Sequence, residues 1–319
     1  MHPRVAAIAL VALLAGPALA QRYPTHSIRF VVPIPPGGAP DITARVVGQK
    51  ISDGLGQPVV IENITGSNGN IAAETVARAP ADGHTLLLGQ DTLITVHPHL
   101  YSKMPIDTLK DLTPIATLSG NQFVLSVNPS LPVKTFAEFI EYTRRAKPPL
   151  AYASGGNGSQ HHLAMEMLKQ RAGIDMVHVP FRGGSPATAA TVAGDTQAMF
   201  AGTSTAPMIR AGKLRALAVT GSHRSEAFPD LPTIGQTYPG YEATIWLGMF
   251  GPARMPDAVV ARLRAEVSKA LADPDVKTRL NAAGGLDPLP TTPTEFSDLI
   301  RSDYEKYGKI VRQVGARVD

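Results

Sequence analysis

Apolar residues in this chain fall into short unbroken runs closed by proline and glycine, and these alternate with stretches of helical spacing. Short apolar runs bounded by turn residues read as buried strands, and apolar positions three and four apart read as one face of a helix. The pattern predicts a strand over 28–33, a loop at 35–38 and a helix opening at Ala39-Pro40-Asp41. It then predicts strands over 58–62 and 85–89 around a polar loop at 63–69 and a helix at 71–79. A second run begins near Phe123, with strands over 123–127, 151–153, 177–181, 197–200 and 215–220. Helices over 135–146, 160–171 and 186–193, and a short one ending near Ala211, fall between them. Residues 243–252, which carry the single tryptophan, Trp246, read as a further strand, followed by helices over 257–271, 274–283 and 294–314.

Strand and helix alternating over this length predict an α/β fold with two mainly parallel sheets flanked by helices. The first run is short of helices and the chain ends in three of them. The chain is therefore expected to leave a first lobe near residue 120 and return near 245. Two crossings make a hinge and leave a cleft between the lobes. The expected division is lobe 1 from 21–120 plus 246–319, and lobe 2 from 121–245. About 300 residues are more than one core usually serves, in keeping with two lobes.

Residues 1–20 are set apart from the fold. His2 and Arg4 precede an apolar stretch over 5–14, and Ala18-Leu19-Ala20 has the small-x-small form of a signal-peptidase site. The apolar stretch is shorter than the ~20 residues that span a bilayer. Export with cleavage after Ala20 is expected, into the periplasm of a Gram-negative cell. The absence of cysteine removes disulfides, thiol chemistry and thiolate metal sites. The formal charge of +4 becomes +3 when Arg4 leaves, and it is spread without basic runs. That argues against nucleic acid and favours small anions.

Two loops carry the candidate chemistry. In the first, Pro36-Gly37-Gly38 follows a strand and precedes a helix with proline and aspartate in its first turn, so backbone amides are open at the positive helix end. With no lysine there, the device suits a carboxylate better than a nucleotide. The second, Ser154-Gly155-Gly156-Asn157-Gly158-Ser159, repeats the logic, with Ser159 placed to cap the next helix. Glycine turns before helices are common, and either loop alone has a purely structural reading. Two in different lobes, both at the carboxyl ends of strands, point to a site in the crevice between them. Ser67, Gly69 and Gln90 are further donors from lobe 1; Phe181 and the stretch with Gly202 and Thr203 belong to lobe 2. Arg182 reads as a surface or loop-bracing residue.

Catalytic and metal readings find little support. Ser154 and Ser159 lie in no G-x-S-x-G or S-x-x-K pattern, and Gly212-Lys213 lacks the upstream glycine of a P-loop. The His161-His162 pair is weighed with Glu166, because His162 and Glu166 share a helical face, but two ligands do not make a metal site. The better reading of His162 is a helix-surface residue or one that orients a neighbour. His97 and His99, flanking Pro98, are expected in a solvated loop, and Asp41 as a structural carboxylate. No metal or cofactor is required.

The chain resembles the Bug family, the periplasmic receptors of tripartite tricarboxylate transporters. The resemblance runs over essentially all of the mature chain. It rests on Pro36-Gly37-Gly38 with Asp41 and Ala44-Arg45, on Gly56-Gln57-Pro58 with Glu62-Asn63, and on Ala81-Asp82-Gly83. Gly158-Ser159 with His162-Leu163 and Glu166, His178-Val179-Pro180-Phe181, the run 211–220 and Pro232-Thr233 complete it. It implies a two-lobed, hinged periplasmic-binding-protein fold of type II character, a monomer that closes on a di- or tricarboxylate or an aromatic acid. It also implies delivery to integral-membrane transporter subunits, with carboxylates gripped by amides of the loops at 35–41 and 154–159. A receptor reporting to a sensor kinase would have the same fold and pocket; an exported hydrolase is a more distant reading. Two departures bear on the ligand. Ile34 stands where many members carry Phe or Tyr, and 201–204 has no acidic residue. An ammonium would want a carboxylate partner there, so a ligand without an amino group is expected.

Overall fold

The computed structural model describes residues 23–202, 205–282 and 286–318. The expected export segment at 1–20, and Thr203, lie outside the described residues. Strand β1 (Ile28–Val32) leads to helix α1 (Ala39–Leu55), β2 (Val59–Asn63), α2 (Asn70–Ala77) and β3 (Thr85–Gln90). After a π-helical turn over Thr92–Val96 come α3 (His97–Leu100) and the long strand β4 (Leu112–Val127). The second lobe continues with α4 (Phe136–Arg145), β5 (Leu150–Ser154), α5 (Gln160–Ala172), β6 (Met176–Pro180) and α6 (Gly184–Ala193). It closes with β7 (Ala198–Gly202), α7 (Ala206–Arg210), β8 (Arg215–Val219) and α8 (Ile234–Thr237). The return is β9 (Thr244–Pro252), then α9 (Asp257–Leu271), α10 (Pro274–Ala282), β10 (Asp287–Pro288) and α11 (Pro293–Val314).

The strands join in the order β2-β1-β3-β9-β4-β7-β5-β6, with β8 and β10 also paired to β4. β1 runs parallel to β2 and β3, and β5 parallel to β6 and β7, as strands linked by crossover helices must. Among the described residues, every antiparallel pairing between these ten strands involves β4 or β9. These two strands make the crossings between lobes. β4 pairs with β9 from Leu112↔Pro252 to Gln122↔Thr244, then passes on to pair with β7 and β8.

Local chemistry accounts for the main elements. α1 starts on Pro40, turns Ala44, Val47, Ile51 and Leu55 inward, and stops at Gly56, whose φ of 69° only glycine adopts freely. α11 opens with a capping box between Thr292 and Glu295 and presents Phe296, Ile300, Asp303, Tyr307 and Val311 on one face. Phe296 and Ile300 join the core of lobe 1, whereas Tyr307, Ile310 and Val311 join the core built on β4–β7 and α5. α11 thus straddles both lobes.

Two stretches depart from the sequence reading. β4 begins at Leu112, ahead of the strand expected from 123, because its first half alternates poorly and is buried by β9 and β10. Residues 92–100 are helical rather than a solvated loop. His97 is buried, its Nδ1 bonded to Asn70 Oδ1 at 3.1 Å, and His99 Nε2 is bonded to the Tyr304 carbonyl at 2.9 Å. The reason is tertiary, since α11 packs along this segment and supplies partners that no local pattern announces.

Trp246 ties β9 to α11. Its indole is 1% exposed and its Nε1–H donates to Asp303 Oδ2 at 2.8 Å, with Lys306 Nζ 2.6 Å from the other oxygen. Trp246→Phe removes a donor to a buried carboxylate, and such a bond is worth about 1.5–3 kcal/mol. A fall of ~2 kcal/mol in unfolding free energy at unchanged m-value is expected in urea, followed by circular dichroism. A variant within ~0.5 kcal/mol of the parent would refute this role for the bond.

Candidate functional site

Strand ends and helix starts from both lobes surround a cavity of about 620 Å³. From lobe 1 come the loop after β1 (Pro33, Ile34, Pro35), the 65–69 loop, and Gln90 and Asp91 at the end of β3. From lobe 2 come Gly155, Asn157 and Gly158 before α5, and Gly183 before α6. The N-caps of α2 (Gly69), α5 (Ser159) and α6 (Gly183) all line it. The positive ends of three helix dipoles therefore converge on one space. No Lys or Arg lines it among the described residues. Its two imidazoles, His97 and His161, each have a pKa pushed down to about 4 by burial and are neutral at pH 7.

Of the residues singled out from sequence, Ile34, Ser67, Gly69, Gln90, Gly155, Asn157 and Ser159 come together on this cavity. Pro36, Gly37, Gly38 and Asp41 do not line it. The Gly37 N–H donates to Asp41 Oδ2 at 2.9 Å, and Asp41 also accepts from Arg45 and Asn63. Asp41 is the structural carboxylate expected, and it takes up the amide that a ligand would need. Hydrogen bonds from Arg45, Gly37 and Asn63 hold its pKa below the usual carboxylate range, against the opposing effect of burial. Ser154, Gly156 and Phe181 stand behind the loops rather than on the cavity wall; Gly202 lines an adjoining chamber.

Ser154 is fully buried, its Oγ 2.6 Å from His178 Nε2 and bonded to the Gly156 amide at 3.1 Å. The His178 ring stacks on His162 at 4.0 Å and 5°. His162 Nδ1 in turn accepts the Gly158 N–H at 3.0 Å. The two histidines brace the glycine loop from beneath, so His162 orients a neighbour rather than decorating a surface. Burial and His162 beside it push the His178 pKa down to about 4. Fully buried and off the cavity wall, the Ser154 hydroxyl does not face a bound ligand. Among the described residues no group of three or more His, Cys, Asp or Glu could hold a metal ion.

Several wall residues went unnoticed in sequence: Asp91, Leu100, Tyr101 and Ile245; His97, expected in a solvated loop, also lines the wall. One loop has an unusual backbone. In Thr65-Gly66-Ser67-Asn68-Gly69, Ser67 and Asn68 hold φ of 46° and 52° between glycines at 126° and 95°. A run of residues with positive φ gathers amides to one side, and strain of this kind clusters at binding sites. Across the cleft, a Cβ on Gly158 would come 2.5 Å from Leu100 Cδ1, so glycine lets the lobes meet there.

The contact that closes the floor is Gln160 Nε2 to Asp91 Oδ2 at 2.6 Å, between the start of α5 and the end of β3. Asp91 is buried, and its pKa is pushed up to about 7 by burial first and then by Asp303; hydrogen bonds from Thr92 and Gln160 act in the other direction. A carboxyl raised from ~3.9 favours the folded protein fully below that value, and the contribution is lost as pH rises through about 7. Asp91→Asn keeps the acceptor for Thr92, and a turned Gln160 amide can present its unpartnered Oε1 to the new NH₂. The variant should therefore gain in melting temperature relative to the parent between pH 4.5 and 7.5. A difference that stays flat with pH would contradict the assignment.

Comparison with known proteins adds four findings. A model of the tripartite tricarboxylate transporter family receptor matches residues 43–316. Protein BugT of Bordetella pertussis is 33% identical over 311 residues, which cover 96% of this chain and 94% of the relative. Among solved structures, R. palustris Rpa4515 with adipate has a TM-score of 0.79 at 31% identity, covering 93% of this chain and all of that one. MatC of Rhodopseudomonas palustris with bound malate has a TM-score of 0.74 at 33% identity, covering 91% of this chain and all of that one.

Proposed function

We propose a capture function on one premise: the chain belongs to the tripartite tricarboxylate transporter receptor family. It is a solute-binding receptor for small organic carboxylates, acting by binding rather than by turnover. The observation that carries this reading is the convergence of the α2, α5 and α6 N-termini on a cavity with no cationic side chain among the described residues. A singly charged carboxylate is matched there by amides and dipoles, whereas a phosphate dianion would want a lysine or arginine. Adipate and malate in the two structural neighbours support the same chemistry.

The sequence of events follows from the topology. With the lobes apart, the 65–69 and 155–159 loops are separate half-sites. A carboxylate that bonds to both is held better by the closed form, and that difference in affinity is what drives closure. β4 and β9, which link the lobes, are the segments about which they turn. The closed receptor then presents both lobes at once to integral-membrane transporter subunits. Its place is the periplasm, after cleavage behind Ala20; among the described residues no helix is long and apolar enough to cross a membrane.

The test is a thermal-shift panel on the mature protein with adipate, malate, succinate, benzoate and phenylacetate beside their methyl esters. A ligand at a hundred times its Kd adds about 2.7 kcal/mol of apparent stability. At least one free acid should raise Tm by several degrees and its ester should not. Equal response to acid and ester, or response to none of the acids, overturns the reading.

A further inference from the structure

A second chamber of about 370 Å³ adjoins the cavity and shares three wall residues with it: His161, Gly184 and Ile245. Its own wall is apolar at Phe123, Met199 and Met208. Of the hydroxyls there, that of Ser185 has no protein partner among the described residues, whereas those of Thr188 and Thr205 are committed. Thr188 Oγ1 donates to the Gly184 carbonyl at 2.9 Å and Thr205 Oγ1 to the Gly202 carbonyl at 2.7 Å. No charged side chain lines the chamber among the described residues.

His161 stands in the partition. Its ring packs on Phe123 at 4.9 Å, and its Nδ1 is shielded from solvent without a hydrogen-bond partner. The ring occupies space left by two glycines. A Cβ on Gly155 would sit 3.1 Å from Nδ1, and one on Gly184 would sit 3.6 Å from Nε2. Nδ1 therefore faces the glycine loop of the first cavity, while the ring bounds the second. A buried polar atom without a partner is costly unless something supplies one.

We infer that His161 divides one extended binding site: its imidazole donates to the ligand carboxylate at the 155–159 loop, and the chamber behind it takes an uncharged alkyl or aryl body. The preferred ligand is then a monocarboxylate with a hydrocarbon body. A second or third carboxylate in the chamber would meet neither a cation nor more than a few free donors, and a buried charge without such partners is strongly disfavoured. The inference rests on the carboxylate-receptor reading and sharpens its ligand class.

Calorimetry with acetate, butanoate, hexanoate, phenylacetate and malate tests it. Affinity should rise about fourfold for each methylene added until the chamber is filled, and phenylacetate should exceed malate. His161→Phe keeps the ring and removes the donor, so every acid should weaken about tenfold while the gain with chain length survives. His161→Gln, which keeps an N–H, should retain more of the affinity and serves if the phenylalanine variant misfolds by circular dichroism. Met208→Ala should shrink the ratio of hexanoate to acetate affinity. If acids bind but affinity is flat along the series, or malate is preferred, the chamber is not a subsite and the receptor reading stands. If His161→Phe binds like the parent, the donor role is refuted. If none of the five acids binds, the receptor reading falls and this inference falls with it.

Discussion

The antiparallel pairing of β4 with β9 is the constraint on which the molecule depends. β4 is one strand of 16 residues that belongs to both sheets, and β9 returns along it from Thr244 to Pro252. Parallel strands need a crossover, so the outer strands of each lobe can be covered only by their own helices. The two strands that run between lobes have no such requirement, and antiparallel pairing lets both cross at one place. The parallel strands of each lobe then end facing the cleft, which places their following loops against one another. Trp246 on β9 and Asp303 on α11 pin the C-terminal helix over this crossing, and that helix contributes side chains to both cores.

Electrostatics of the cleft follow from the same placement. Three helix N-termini from two lobes open on one cavity without a cationic side chain among the described residues. Its imidazoles are neutral because they are buried, and Asp91, its one carboxyl among the described residues, has a pKa raised to about 7 mainly for the same reason. The site therefore presents partial charges held by backbone rather than formal charge held by flexible side chains. Such donors lose little entropy on binding and are strengthened as closure removes water. The histidine stack beneath the glycine loop, with Ser154 fixed to His178 and the Gly158 amide to His162, fixes the shape of that loop.

Legibility of the fold tracked local constraint. Helix α9 was readable to the residue and α11 nearly so, because Asp257, Pro293 and the capping pair Thr292–Glu295 announce their starts. The first half of β4 was invisible, since its burial comes from β9 more than a hundred residues later. The same holds for 92–100, where the environment of His97 is made by Asn70 and the surrounding core. At the site, the 154–159 loop and Ser67, Gly69 and Gln90 were recognisable as small or polar residues between a strand and a helix. The opening proline-glycine loop was recognisable too, yet its Gly37 amide is taken by Asp41, and the cavity uses Pro33, Ile34 and Pro35 instead.

By itself the sequence determined the elements, their alternation, the two-lobed plan and the family. These follow from hydrophobic period, turn residues and caps, all of which act over a few residues. The tertiary structure decided which amides are free, which histidines are buried and neutral, and that His161 stands between two chambers. Those properties depend on what residues distant in the chain bring alongside. A hydrogen-bond donor is available to a ligand only if no neighbour accepts from it, and only packing settles which neighbours it has.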